Sequence, residues 1–205
     1  MKLKTASVLK LSALALAIAA PLMASAESER VNGNGDATAR LNIRVVVPRV
    51  LFLGVGSGAS GAGLASNTTV DRITFDYSTN PLDVGGGASA VAGSVTNSLT
   101  GSSADLPVKV WSNGGEVSIA STASDTNGLT NGSGDYIPWS EITTSSDSDD
   151  LAAPVPNSGT TGATTVTGSN KITNQEATWT YKFNNTTTLP AGTYNGRLIY
   201  TASTL

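Results

Sequence analysis

Residues that commonly carry catalysis are scarce in this chain. It contains no histidine and no cysteine, so it has neither a base that titrates near neutral pH nor a thiolate nucleophile. Catalytic triads, Cys-His pairs and most zinc sites are therefore excluded. Paired carboxylates could still support glycoside hydrolysis, but the fifteen acidic residues fall mostly in predicted loops or at outward strand positions. We predict that the protein is not an enzyme.

Two motifs resemble loops that bind a cofactor or a metal. The stretch Gly56 to Gly61 fits the pattern G-x-G-x-x-G, but Leu64 to Thr69 is too rich in Ser, Asn and Thr to open the helix that would hold a pyrophosphate. The acidic run Asp147 to Asp150 could supply calcium ligands, although it lacks the glycine and the distal glutamate of an EF-hand loop. We interpret the first motif as a flexible loop, favour a solvated loop over a calcium site for the second, and predict no cofactor.

Two tryptophans offer a third kind of site, because indole rings stack on sugars. Trp111 and Trp139 both lie in or near predicted strands. The chain is poor in aromatic residues, at 5% of the sequence, so packing in the core or at a sheet edge is the favoured interpretation for both.

The first 26 residues have the layout of a signal peptide. Lys2, Lys4 and Lys10 surround the start of an uncharged apolar run from Leu11 to Ala20, and small residues precede a predicted cleavage after Ala26. The run is about ten residues, half of what a membrane helix needs. We therefore predict an exported protein of the Gram-negative type without a membrane-spanning segment. The mature chain is mildly acidic and has no basic cluster, which argues against nucleic-acid binding.

The rest of the chain alternates between short strand patterns and long loops rich in Gly, Ser, Thr and Asn. The strands are predicted at Arg72 to Tyr77, Leu106 to Trp111, Glu116 to Ala120, Tyr136 to Thr143, Glu176 to Asn184 and Thr193 to Ala202. This pattern predicts an immunoglobulin-like antiparallel β-sandwich of roughly 7–9 strands. We expect one domain, residues 39–205, behind a disordered polar leader, residues 27–38.

Local patterns in two of these strands make sharper predictions. In Glu176 to Asn184, the alternation places Ala177, Trp179, Tyr181 and Phe183 inward. Between the second and third strands, Asn113-Gly114 predicts a tight hairpin, since Asn-Gly readily adopts the positive φ angles of such a turn.

The segment Arg40 to Leu53 contains two strand patterns separated by Pro48. In the first half, an apolar stripe of alternate residues shares one strand face: Leu41, Ile43, Val45 and Val47. The second half, Arg49 to Leu53, is expected to begin the sheet of the domain itself. An apolar strand near the mature N-terminus either pairs with its own domain or inserts into a neighbouring molecule.

Both ends of the mature chain resemble one protein family. Asn42-Ile-Arg-Val-Val-Val-Pro-Arg-Val-Leu51 resembles the mature N-terminus of alpha-class fimbrial subunits assembled by the chaperone-usher route. The stretch from Leu189 to Ala202, with its Ala-Gly-x-Tyr-x-Gly opening, resembles their final strand. The resemblance covers about thirty residues and extends to the middle of the chain only through strand order.

This resemblance implies donor-strand exchange, in which the N-terminal strand of one subunit fills a groove in the next. The segment 39–47 would then be the donor strand. The wall of the groove would be formed by alternate residues of the final strand, namely Tyr194, Gly196, Leu198, Tyr200 and Ala202. The implied partners are neighbouring subunits, a periplasmic chaperone and an outer-membrane usher, and the implied location is the periplasm and then the cell surface.

A weaker resemblance leaves a second function open. The C-terminal pattern is similar to WxL cell-wall-binding domains, but Tyr200-Thr-Ala202 stands where those domains have Trp-x-Leu. The alternative to a filament subunit is therefore a self-complete secreted or surface β-sandwich that binds a glycan or another surface protein, with Trp111 and Trp139 as its candidate contacts.

Overall fold

The computed structural model describes residues 27–59, 63–87, 94–96 and 104–205. The predicted signal peptide lies outside the described residues. The chain divides into two compact units, Met1–Val47 and Pro48–Leu205. In the first unit, residues 27–47 contain no strand and no helix and are exposed throughout.

The second unit is an all-β body, as the sequence predicts. Its strands are β1 Leu51–Val55, β2 Arg72–Thr74, β3 Ser94–Thr96, β4 Asp105–Ser112, β5 Val117–Ala123, β6 Leu129–Thr130, β7 Tyr136–Ile137, β8 Ile142–Ser146, β9 Gly159–Val166, β10 Thr173–Phe183 and β11 Leu198–Thr204. The larger sheet has the order β1-β4-β10-β8, and the second sheet has the order β11-β5-β9. The pairs β2-β3 and β6-β7 form two separate two-stranded sheets, and all the pairings are antiparallel.

The two main sheets enclose one apolar core. Alternate residues of β4 and β5 face it, among them Val108, Val110, Val117 and Ile119. Trp179 of β10 is fully buried, and its indole N–H donates to the Leu151 carbonyl oxygen at 3.0 Å. The hydrogen bond satisfies the one polar atom that this ring brings into the core.

The inward face predicted for β10 is confirmed. Trp179 and Tyr181 are buried, while Ala177 and Phe183 are half-buried and pack against the same core. The strand is longer at its start than predicted, because it pairs with β4 from Thr173 onward.

The predicted hairpin between β4 and β5 is wrong, although both strands exist. β4 and β5 lie in different sheets, so their connection crosses from one sheet to the other. Positive φ occurs at Gly115, at 109°, and not at Asn113. Alternation shows which face of a strand is buried but does not identify its neighbour, and β4 pairs instead with β1 and β10.

Other predicted strands also differ in their bounds, and the stretch Arg72 to Tyr77 forms only the three-residue β2, Arg72–Thr74. The stretch Tyr136 to Thr143 is interrupted after β7 by Pro138 and a 3-10 turn, Trp139–Glu141, and resumes as β8, because proline cannot donate to a ladder. The final strand begins at Leu198 rather than at Thr193. Before this strand, Asn195 exchanges two backbone hydrogen bonds of 2.9 Å with Thr130. Asn195 is therefore held against β6 rather than against β5.

Candidate functional site

One edge of β11 is open. β11 pairs with β5 from Leu198↔Ala123 to Thr204↔Val117, and in the described part of the chain no strand pairs with its other edge. Its inward side chains, Leu198, Tyr200 and Ala202, are only half-buried although they pack against the core. An unpaired strand above a half-covered apolar face is a place where another strand can add.

A second strand with an unpaired edge, β1, lies close to β11. Its residues Leu53 and Val55 also pack against the core while remaining half-buried. β1 approaches β11, but among the described residues no ladder joins the two strands. We call this strip the β1–β11 groove, defined by Leu53, Val55, Leu198, Tyr200 and Ala202.

The groove opens at one end into a cavity of about 700 Å³. Val55 and Leu198 lie where the groove meets the cavity, and the other apolar lining residues include Ile73, Leu129 and Trp139. Polar groups of Asp71, Arg72 and Arg197 also line it. A mainly apolar space of this size exceeds by far the ~30 Å³ that one water molecule occupies, so it can receive apolar side chains.

A pair of tyrosines forms part of the cavity wall. The hydroxyls of Tyr181 and Tyr200 lie 2.8 Å apart, and the Tyr200 ring packs on Trp179 with 5.2 Å between ring centroids. Burial raises the pKa of Tyr181 well above the ordinary value of 10.0, and the neighbouring Tyr200 adds to the rise. Burial also raises the pKa of Tyr200, although its hydrogen bonds with Tyr181 and Ser121 act in the opposite direction.

These pKa shifts predict a loss of stability in alkali. The unfolded chain loses its tyrosine protons near pH 10, before the folded protein does, so the free energy of unfolding should fall as the pH rises above about 10. Denaturant unfolding at several pH values should show a flatter alkaline decline in a variant carrying Tyr181→Phe and Tyr200→Phe. Tyr136→Phe is the matched control because Tyr136 is 41% exposed. An equally steep decline in the double variant would contradict the prediction.

The N-terminal segment carries an apolar stripe with the period of a strand. Leu41 and Ile43 are each 80% exposed, Val45 is 79% exposed and Val47 is 73% exposed. Arg40, Asn42 and Arg44 alternate with them in the sequence. In an extended conformation these residues would form one apolar face and one largely polar face.

The predicted wall residues of the groove separate into two groups. Leu198, Tyr200 and Ala202 share the inward face of β11, and Gly196 lines the cavity just before it. A Cβ atom at Gly196 would lie 2.7 Å from Cη2 of Trp139, so the close approach requires glycine. Tyr194 precedes the strand and is not among the cavity residues. Its hydroxyl donates to the Pro190 carbonyl oxygen at 3.0 Å.

The two tryptophans proposed for glycan stacking have different positions. Trp139 is only 8% exposed, donates its indole N–H to the Asp125 carbonyl oxygen at 2.7 Å and lines the cavity. This placement is that of a core residue rather than of an exposed stacking platform. Trp111 is half-buried on the outward face of β4, between Phe52 and Asn174 of the adjacent strands.

The two loop motifs have structural hydrogen-bond partners. Gly56–Gly58 forms a 3-10 turn in which the Ser57 N–H donates to Asp71 Oδ2 at 2.6 Å. Asp147 Oδ1 accepts from the Thr178 N–H at 2.7 Å and so extends the pairing of β8 with β10. Within the described ranges, no group of three His, Cys, Asp or Glu residues is arranged to hold a metal ion.

Sequence reasoning did not identify several cavity residues. Val55, Ile73 and Leu129 come from separate segments that only the fold brings together. Val55 and Ile73 belong to short apolar patterns that are equally typical of an ordinary core position, and Leu129 is a single apolar residue in a polar stretch.

Within the described ranges, no helix is long and apolar enough to cross a bilayer. Comparisons with models of protein families, with curated proteins and with solved structures gave no match to this chain.

Proposed function

We propose that this protein is an exported structural subunit of a surface filament of the fimbrial type, which polymerises by donation of its N-terminal strand. One observation carries the proposal: the chain that exposes the apolar stripe of Leu41, Ile43, Val45 and Val47 also has an open strand edge above a half-buried apolar groove. Exposure of either feature to water is unfavourable, and the apolar stripe is complementary to the apolar groove. The proposal assigns the protein no catalytic activity and no cofactor.

The strand order supports a missing neighbour for β11. If β1, β4, β5, β8, β10 and β11 are lettered A to F, the larger sheet reads A-B-E-D and the second sheet contains C beside F. An immunoglobulin-type sandwich has these same neighbours and places a seventh strand, G, next to F. The open edge of β11 is the position of that strand, and a donor strand from another subunit would occupy it.

The N-terminal segment and the open strand β11 match in length and in the periodicity of a strand. β11 has seven residues, and Leu41 to Val47 spans the same number, so both extend roughly 20 Å at about 3.3 Å per residue. In a strand, all four stripe residues point to one face and would enter the β1–β11 groove together. The backbone of the donor would pair with the free edge of β11, and each hydrogen bond would contribute about 1 kcal/mol.

The proposed partners come from the resemblance to fimbrial subunits. On that reading a periplasmic chaperone would cover the open apolar groove before assembly, and strands would be exchanged at an outer-membrane usher. These partners are those implied by the resemblance of Asn42 to Leu51 and of Leu189 to Ala202 to fimbrial subunits. We place the finished filament at the cell surface.

Denaturing electrophoresis of unboiled and boiled protein tests the proposal. Chains linked by inserted strands should run as a ladder without boiling and collapse to one band after boiling, because the linkage is extensive but non-covalent and the chain has no cysteine. A single monomer band in both lanes, from protein isolated from the cell surface, would instead support the alternative of a self-complete surface module.

A further inference from the structure

The turn that follows β4 holds the start of the body through one side chain. Asn113 Oδ1 accepts a hydrogen bond from the Val50 N–H at 2.7 Å, and Asn113 Nδ2 donates to the Pro48 carbonyl oxygen at 2.8 Å. The Asn113 N–H also donates to the Val50 carbonyl oxygen, at 3.3 Å. These groups of Pro48 and Val50 lie on the same edge of an extended chain, so a single asparagine can reach them all.

These contacts lengthen the pairing of β1 beyond its last regular residue. The β1–β4 register ends at Leu51↔Ser112, and Val50 and Asn113 are the next pair in that register. The side-chain amide of Asn113 substitutes for a backbone carbonyl there and reaches two residues further, to Pro48. The adjacent Gly114 leaves room for Arg49, because a Cβ at Gly114 would lie 2.9 Å from Arg49 Cδ.

We infer that Asn113 is a clamp that fixes the junction between the donor strand and its own body, and that it thereby stiffens the filament. The inference rests on the proposed function. The donor stripe ends at Val47, and Pro48, the next residue, is already held by Asn113 and has a fixed φ angle. No free residue therefore separates a strand inserted in one subunit from the body of the next.

The clamp should therefore affect the stiffness of the filament but not the strength of the linkage between its subunits. Asn113 is not one of the residues of the apolar stripe or of the β1–β11 groove, and the regular pairing of β1 with β4 does not depend on its side chain, so its loss should leave strand exchange intact. What should change is the freedom of each subunit to turn about Pro48 relative to its neighbour. A filament without the clamp should still be a ladder on a gel but should bend more readily.

The variants Asn113→Ala and Asn113→Asp test this clamp in the full chain. In Asn113→Ala, hydrogen-deuterium exchange at the Val50 amide should accelerate about 10-fold, as expected for one lost hydrogen bond. Filaments of this variant should have a shorter persistence length in electron micrographs. Asn113→Asp keeps the acceptor for Val50 but removes the donor to Pro48, so it should keep much of the protection at Val50 and still give flexible filaments.

Asn184→Ala is the matched control. Asn184 also makes two side-chain hydrogen bonds, to the Ser140 carbonyl oxygen at 3.1 Å and from Thr143 Oγ1 at 3.3 Å, but far from Pro48 in the sequence. It should alter neither readout. Unchanged exchange at Val50, or unchanged bending, in Asn113→Ala would overturn the clamp. Failure of the proposed function would be recognised separately, by the absence of a ladder in the wild-type protein.

Discussion

Deletion of residues 39–47 is expected to abolish chain formation while leaving a folded body. The deleted segment belongs to the first compact unit, and the core of the second unit is formed without it. In a filament, burial of Leu41, Ile43, Val45 and Val47 would contribute roughly 1.5–3 kcal/mol each, about 6–12 kcal/mol in all. Removal of this contribution should convert the ladder of unboiled protein into a monomer band.

The deleted protein should also act as a chain terminator. It keeps the β1–β11 groove and can accept a strand from a wild-type subunit, but it has none to donate. Assembly from equal amounts of both proteins should therefore give shorter ladders than wild-type protein alone. Wild-type ladder lengths in this mixture would show that the deleted protein has lost its groove.

A pair of point substitutions tests whether polymerisation requires the apolar stripe itself or only the presence of the N-terminal segment. Ile43→Asp places a carboxylate at a position that must be buried, and desolvation of the unpaired charge should prevent insertion. Asn42→Asp introduces the same carboxylate one residue away, on the opposite face of a strand. The first variant should fail to polymerise and the second should polymerise normally, whereas equal behaviour of the two would contradict an alternating donor strand.

The fold was predictable where local pattern determines structure. The alternation of β10 indicates that Trp179 and Tyr181 face the core, and both are buried. The absence of convincing helix signals indicates an all-β body. Local pattern cannot select the partner of a strand, which is why the Asn113-Gly114 turn suggested a hairpin while β4 and β5 belong to different sheets.

The candidate site was predictable only in part for the same reason. The stripe at Leu41 to Val47 and the inward face of β11 follow from alternation within single segments. The cavity beside them depends on residues as distant in sequence as Val55 and Leu129, which only the tertiary fold brings together. The hydrogen bonds of Asn113 to Pro48 and Val50 are likewise invisible in a sequence where Asn-Gly is typical of a turn.

A copy of residues 39–47 appended after Leu205 should complete the sandwich within one chain. β11 ends at Thr204, so a short flexible turn would let the appended strand run back antiparallel to β11 along its open edge. In a chain that lacks the original residues 39–47, the product should be monomeric. If the appended strand increases the free energy of unfolding by about 2–3 kcal/mol, the melting temperature should rise by roughly 5–10 °C for a body of this size.

The decisive comparison keeps the extension and changes only its apolar face. The same appended copy carrying Ile43→Asp and Val45→Asp has equal length and the same backbone donors and acceptors, but it cannot bury its stripe in the β1–β11 groove. Its melting temperature should return to that of the chain without an extension. A similar rise from both extensions would mean that the gain does not come from the groove. A rise from the native copy alone would show that the stripe is buried in the β1–β11 groove, where the unpaired edge of β11 lies beside a half-buried apolar face.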